Sequence, residues 1–375
     1  MAPASWKALF EPAGPGAHAV EVRVFVRGGH PLLVIPTGPR FPAGTAFALY
    51  APQTLVARIA NLAWRWSLPV GFAPGSRRDS VQIDPASPFV RYLASVSCAN
   101  SATQASSQLP QIVILAGNPH APAPRYLVQV FNPAREPIAV VKTGVGPAAA
   151  QLISREADFL EAAAGRTEHS LLAVPRVLGR FSHDHLCAFT MQFVRGASPR
   201  PAQAGGIAPV LLSWLDSGRK LRVGEFAAWQ RLAKASGADP LFKRLDAALG
   251  PVEVHPALFH GDFVPWNIKV SPADGAWTVL DWERGEREGP PGWDWFHYVI
   301  QTAMLVEKKT GPPLLRAARE MLASSPFCSY ISNTGLAGQE HEWLLAYLLY
   351  CRDVLRPKEL APGVESLLAE LTRSS

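Results

Sequence analysis

The sequence predicts an α+β chain of two lobes, a small antiparallel sheet lobe followed by a larger helical one, with an extra α+β domain ahead of them. Three observations lead there. Strand-like runs crowd into the first 195 residues; helical periodicity dominates after residue 206, apart from one hairpin near residue 270; and a small, polar stretch over residues 97–108 interrupts the first half. The predicted domains are residues 1–105, an N-terminal extension of unassigned role, residues 106–195, the sheet lobe, and residues 196–375, the helical lobe.

The elements follow in order. Residues 20–26 and 32–35 read as strands joined by Arg27-Gly28-Gly29-His30, a two-glycine hairpin signal. Residues 53–68 read as a helix, with Leu55, Ile59, Leu62 and Trp66 at three-to-four spacing. After the linker, strands are predicted over 111–116, 125–131 and 137–142, separated by Gly117-Asn118-Pro119 and Asn132-Pro133 turns. A helix over 148–164 stops at Gly165, a residue suited to a helix C-terminus. Strands over 176–181 and 186–194 lead to Arg195-Gly196, and the late hairpin pairs 268–270 with 277–280.

Composition narrows the function classes. The chain has 375 residues, 48% hydrophobic and 18% charged, which suits a folded protein of two or three domains. No apolar run reaches the roughly 18 residues of a membrane span, and residues 1–16 lack the features of a signal peptide, so a cytoplasmic protein with no membrane partner is expected. Cys98, Cys187, Cys328 and Cys351 are scattered, which suits reduced thiols better than zinc or disulfides. The net charge of +6 divides into +7 over residues 1–195 and −1 over 196–375. That surplus shows no basic run with interleaved aromatics, so no nucleic-acid partner is expected. Residues 1–105 remain open to a protein partner.

The segment richest in chemistry is Leu258-Phe259-His260-Gly261-Asp262-Phe263-Val264-Pro265-Trp266-Asn267-Ile268. His-Gly-Asp-x4-Asn should arise by chance on the order of a few times in ten thousand sequences of this composition. Asn267 opens the first hairpin strand and Asp281 follows the second, so antiparallel pairing brings both to the hairpin mouth. An amide oxygen and a carboxylate there are hard ligands of the kind Mg²⁺ takes, and Asp262 reaches the same space from the loop. Upstream, Lys142 ends an apolar strand. Glu156 sits fourteen residues on, among Leu152, Phe159, Leu160 and Ala163 on a helix stripe, where a buried carboxylate wants a cation. Lys142 is its natural partner.

His260-Gly261-Asp262 with Asn267, followed by Leu280-Asp281-Trp282-Glu283, resembles the signature of the aminoglycoside phosphotransferase and choline kinase group, which shares the protein-kinase-like fold. The resemblance spans roughly residues 111–298. It implies an ATP-dependent small-molecule kinase in which Asp262 is the catalytic base or orienter, Asn267 and Asp281 hold Mg²⁺, and Lys142, positioned by Glu156, meets the α- and β-phosphates. It also implies that the backbone of Gln192 and Val194 meets the adenine edge and that Asp294 braces the catalytic loop. The turn Ala116-Gly117-Asn118-Pro119-His120-Ala121-Pro122 departs from the glycine-rich phosphate loop of protein kinases, with one glycine and two prolines. A protein kinase is disfavoured, because Gly261 stands where arginine is expected. The competing reading is a non-catalytic nucleotide-binding scaffold. For the acceptor, an amino sugar, amino alcohol or sugar-like hydroxyl is expected. The run from Asp281 to Glu288 offers carboxylates near the hairpin mouth, and Trp343, Tyr347 and Tyr350 form either an aromatic wall or, as the better reading, core.

Overall fold

The computed structural model describes residues 5–11, 14–37, 43–47, 49, 55–68, 73–98, 109–117, 123–164, 172–356 and 361–373. The linker residues 99–108, the helix stop at Gly165 and residues 118–122 of the phosphate-loop turn lie outside these. The chain divides into two compact units, residues 1–161 with 175–194 and residues 162–174 with 195–375.

The first unit is built on one antiparallel sheet. Its strands are β1 (His18–Arg27), β2 (His30–Pro36), β3 (Ser76–Ile83), β4 (Ile112–Ala116), β5 (Arg125–Phe131), β6 (Pro137–Val145), β7 (Val177–His183) and β8 (Leu186–Gln192). Their order across the sheet is β3-β1-β2-β4-β5-β6-β8-β7. Gly28 and Gly29 join β1 to β2 with φ of 56° and 80°, left-handed values that glycine adopts without steric cost and a two-residue hairpin turn demands.

The N-terminal segment expected as a separate domain is part of this sheet, which corrects the predicted boundary at residue 105. β2 pairs with β4 through Leu33↔Leu115 and Val34↔Ile114, so the hydrogen-bond ladder runs from the extension into the sheet lobe without a break. β2 covers the edge that β4 would otherwise expose, and β1 and β3 continue the sheet beyond it. Apolar side chains fill both faces. On one, Trp6, Leu9 and Phe10 and the helix α1 (Pro88–Cys98), through Phe89, Val90 and Leu93, pack against Val24, Val34, Val128 and Val141. On the other, Phe25, Leu33, Ile35, Phe47, Val113 and Phe131 form a second cluster. The helix Leu55–Ser67 joins that cluster through Trp64, whose ring stacks on Phe47 at 5.8 Å and meets Phe25 edge-on at 5.0 Å. The helix α2 (Pro147–Ala164) buries Ala149, Ile153, Ala157 and Leu160 at helical spacing.

In the second unit, helices surround a short hairpin, β9 (Ile268–Val270) and β10 (Trp277–Val279), with Ile268 opposite Val279. Helix α3 (Trp293–Gln301) follows it, and helix α4 (Glu340–Tyr350) runs through the middle of the unit with every residue from Trp343 to Tyr350 buried. A helix apolar all round is a core element. Trp343 stacks on Trp229 at 5.9 Å and lies 5.5 Å from Trp293, so Trp343, Tyr347 and Tyr350 are core and form no open wall.

Candidate active site

In the first unit, Lys142 stands on β6 between Leu127 on β5 and Phe189 on β8, and its Nζ lies 2.6 Å from Glu156 Oε2 on α2. Their side chains are 7% and 2% exposed. The expected ion pair is therefore present, and it is deeply desolvated, which makes it costly to keep for stability alone. At the end of β8, the Gln192 amide donates to the Arg176 carbonyl at 3.1 Å and the Phe193 amide to Ile138 at 3.1 Å. The Gln192 N–H is thus committed to its own unit.

In the second unit, the loop carrying Asp262 is braced from three sides. Gly261 has φ of 73°, and a Cβ added there would meet the Arg284 side chain at 3.1 Å, so the turn that presents Asp262 needs glycine. Asp294, in the first turn of α3, accepts from the His260 amide at 2.7 Å and from the Gly261 amide at 3.0 Å. His260 is fully buried, takes the Asp262 amide on Nδ1 at 3.1 Å and donates from Nε2 to the Leu280 carbonyl at 2.9 Å. One neutral imidazole thus ties Asp262 to the residue beside Asp281. Trp282 packs edge-on against His260 at 4.6 Å and bonds back to Val279 at 2.8 Å, fixing the hairpin end.

Asp262 itself is held but reachable. Asn267 Nδ2 donates to its backbone oxygen and to Oδ2, both at 3.0 Å, and His297 Nε2 lies 3.2 Å from Oδ1. The Asp262 side chain remains 34% exposed while His297 is 5% exposed. Burial acts to raise the Asp262 carboxyl, but the His297 hydrogen bond and the field of Arg284 outweigh it and hold the group below its ordinary value. Asp262 is ionised at neutral pH. The Tyr347 hydroxyl lies 2.9 Å from His297 Nδ1, and burial pushes that phenol far above its ordinary value. With Tyr347 donating to Nδ1, Nε2 carries the hydrogen that reaches Asp262.

The Asn267 amide nitrogen is spent on Asp262, which leaves Oδ1 as its remaining ligand atom. The Leu280 amide donates to the Asn267 carbonyl at 2.7 Å, so Asp281 comes one residue past Asn267's partner at the hairpin mouth. Asp281 has φ of 68°, a left-handed value that is uncommon outside glycine and that strand pairing does not require. An amide oxygen and a carboxylate at one hairpin mouth are the donor types Mg²⁺ accepts, so the residues present fit that ion.

The buried brace has a pH signature. Burial pushes His260 down to about 4 from 6.5, so between those values the unfolded chain binds a proton the folded chain does not, and stability rises with pH. Burial pushes Asp294 up to about 7 from 3.8 against its two amide hydrogen bonds, so there the folded chain holds the extra proton and stability falls as pH rises. In the shared window the two oppose each other. We expect the unfolding free energy from urea titrations to fall from pH 4 to 7 in His260→Gln and to rise from pH 4 to about 6.5 in Asp294→Asn, each by on the order of 3 kcal/mol. Parallel pH profiles in the two variants would contradict the brace.

The expected acidic approach is largely answered within the unit. Glu286 pairs with Arg231, which also bonds Tyr350 at 3.0 Å, and Glu288 pairs with Arg219 at 2.5 Å. His297 and Tyr347 are the site residues that sequence reasoning missed as such. The available signal was His297 three residues after Asp294 on one helix, a spacing that puts both on one face.

No protein-family model matches the chain, and no curated protein matches it. Among solved structures it is similar to a protein from Haemophilus somnus 129PT described as a fructosamine-3-kinase, at 12% identity and a TM-score of 0.44, covering 76% of this chain and 95% of that one. It is also similar to a thermostable mutant of an aminoglycoside phosphotransferase in complex with AMP-PNP and hygromycin B, at 15% identity and a TM-score of 0.47, covering 75% and 98%. A third is the aminoglycoside phosphotransferase of Streptomyces rimosus with ADP and streptomycin, at 14% identity and a TM-score of 0.38, covering 60% and 90%. These neighbours are small-molecule phosphotransferases, and the likeness to each is loose.

Proposed function

We propose that the chain transfers the γ-phosphate of ATP to a hydroxyl of a small-molecule acceptor, with Mg²⁺ as the required ion. The observation that carries this reading is the state of Asp262: ionised, fixed by Asn267 and His297, and still a third exposed. A carboxylate held so firmly yet left accessible suits a group that must accept a hydrogen bond from a bound hydroxyl. In the proposed step the acceptor oxygen forms a bond to the γ-phosphorus, the bond from that phosphorus to the β,γ-bridging oxygen breaks, and ADP departs with the electron pair. The hydroxyl proton passes to Asp262. Lys142, steadied by Glu156, meets the α- and β-phosphates, and Asn267 with Asp281 holds Mg²⁺, which supplies charge neutralisation on the phosphates. The Gln192 carbonyl and the Val194 backbone serve the adenine edge.

The pairing of Glu286 and Glu288 with arginines leaves little unanswered charge in that run for a polycation. An acceptor with few positive charges, a sugar or amino alcohol, fits better than a multiply charged drug. A thermal-shift titration with ATP, with and without Mg²⁺, tests nucleotide binding. At roughly a hundred times Kd the folded state should gain about 2.7 kcal/mol, and more with Mg²⁺ than without. No stabilisation at millimolar ATP would sink the proposal.

A further inference from the structure

The helix Leu55–Ser67 packs one way and faces water the other. Trp64 turns inward, with its Nε1 donating to the Pro74 carbonyl at 2.8 Å, and Asn61 is buried beside it. On the opposite side Ile59, Leu62 and Trp66 are 60%, 58% and 76% exposed, and Ala63 is exposed between them. Positions i, i+3, i+4 and i+7 form a single stripe about a quarter of the helix circumference wide. This stripe supplies three of the five large apolar side chains exposed among the described residues. A tryptophan, a leucine and an isoleucine in one row on a folded surface mark an interaction site.

The charge around the stripe selects its occupant. Residues 22–78, which include this helix, β2, the last six residues of β1 and the first three of β3, contain seven arginines and neither aspartate nor glutamate. Arg65 is exposed on the helix itself, and Arg27, Arg77 and Arg78 are exposed on the strands. Arg23 and Arg78 are cross-strand partners, and alternation puts them with Arg27 on the face of Phe25, the residue on which Trp64 packs. Glu21 shares that face at the far end of β1. A second copy of the chain would bring the same arginines against these. A nucleic acid would meet the arginines but give the apolar stripe nothing to enter. A lipid surface with anionic headgroups satisfies both features, since Trp66, Leu62 and Ile59 enter the headgroup boundary while the arginines pair with phosphates and carboxylates.

We infer that the Leu55–Ser67 face of the first unit docks on anionic membrane surfaces. No helix among the described residues is long and apolar enough to cross a membrane. A helix lying in the interface requires no such span, so the lack of an apolar run in the sequence does not bear on it. The inference is independent of the proposed phosphotransfer and stands or falls without it.

Co-sedimentation of the full chain with vesicles tests it. Binding is expected to mixed phosphatidylserine and phosphatidylcholine vesicles, weak or absent with phosphatidylcholine alone, and reduced by added salt. Leu62→Glu and Trp66→Glu, at exposed positions, should each weaken binding about tenfold or more with the unfolding transition unchanged. Arg27→Gln and Arg78→Gln should each weaken it about fivefold. Three outcomes would overturn the inference: no sedimentation with anionic vesicles, binding indifferent to Leu62→Glu and Trp66→Glu, or a concentration-dependent dimer that Leu62→Glu abolishes. Retention of DNA or RNA that the arginine variants lose, without lipid binding, would equally overturn it.

Discussion

Asp262→Ala is expected to lower phosphoryl transfer by about 10³-fold while the protein still unfolds in one cooperative transition. The loss should fall on kcat, because the carboxylate meets the acceptor hydroxyl most strongly as its proton departs, and binding of ATP should be little changed. The fold tolerates the change because the loop backbone is held by Asp294 and His260, while the Asp262 side chain bonds Asn267 and His297. Leaving the buried His297 Nε2 without its acceptor should cost about 1–3 kcal/mol, short of unfolding a domain of this size. Asp281→Asn should impair turnover as severely by another route. Asparagine keeps the left-handed backbone seen at φ 68° and removes the charge that holds the metal, so raising Mg²⁺ should recover part of the activity of this variant and none of that of Asp262→Ala.

The second large effect is on stability. Lys142→Ala is expected to destabilise the first unit by roughly 3–5 kcal/mol, because Glu156, 2% exposed, loses the ammonium 2.6 Å away. Replacing both partners by apolar residues of similar volume, Lys142→Met with Glu156→Leu, should restore most of that stability. The restored double variant should still fail to respond to ATP in thermal shift. That contrast separates a pair kept for folding from a pair kept for phosphate. If the double variant bound ATP as the unaltered protein does, Lys142 would have no part in nucleotide binding.

The site was legible where its residues are close in sequence or fixed by a period. Asp262 and Asn267 share one loop, the hairpin carries Asp281 to its mouth, and strand alternation with a helical stripe paired Lys142 with Glu156. What escaped depends on distant packing. His297 reaches Asp262 from a helix 35 residues on, and Tyr347 reaches His297 from one 50 residues further, contacts no local pattern encodes. The extension looked separable because a polar stretch precedes β4, yet β2 pairs with β4 through backbone groups that every residue carries. β3 was missed for a related reason: Ser76–Ile83 is a polar edge strand with little apolar alternation, as an edge strand should be. The spacing of Leu55, Ile59, Leu62 and Trp66 indicates a helix, present over Leu55–Ser67, and leaves open which way its apolar face points. Periodicity reports that such a face exists and is silent on what covers it.

The most direct measurement is transfer of labelled γ-phosphate from ATP, with Mg²⁺, to a panel of sugars, amino alcohols, amino sugars and nucleosides, run in parallel on the unaltered protein and Asp262→Ala. The account predicts a labelled product with at least one hydroxyl acceptor, dependent on Mg²⁺ and lost in Asp262→Ala. Equal labelling by both proteins, or no transfer by a protein that ATP does not stabilise, would contradict it.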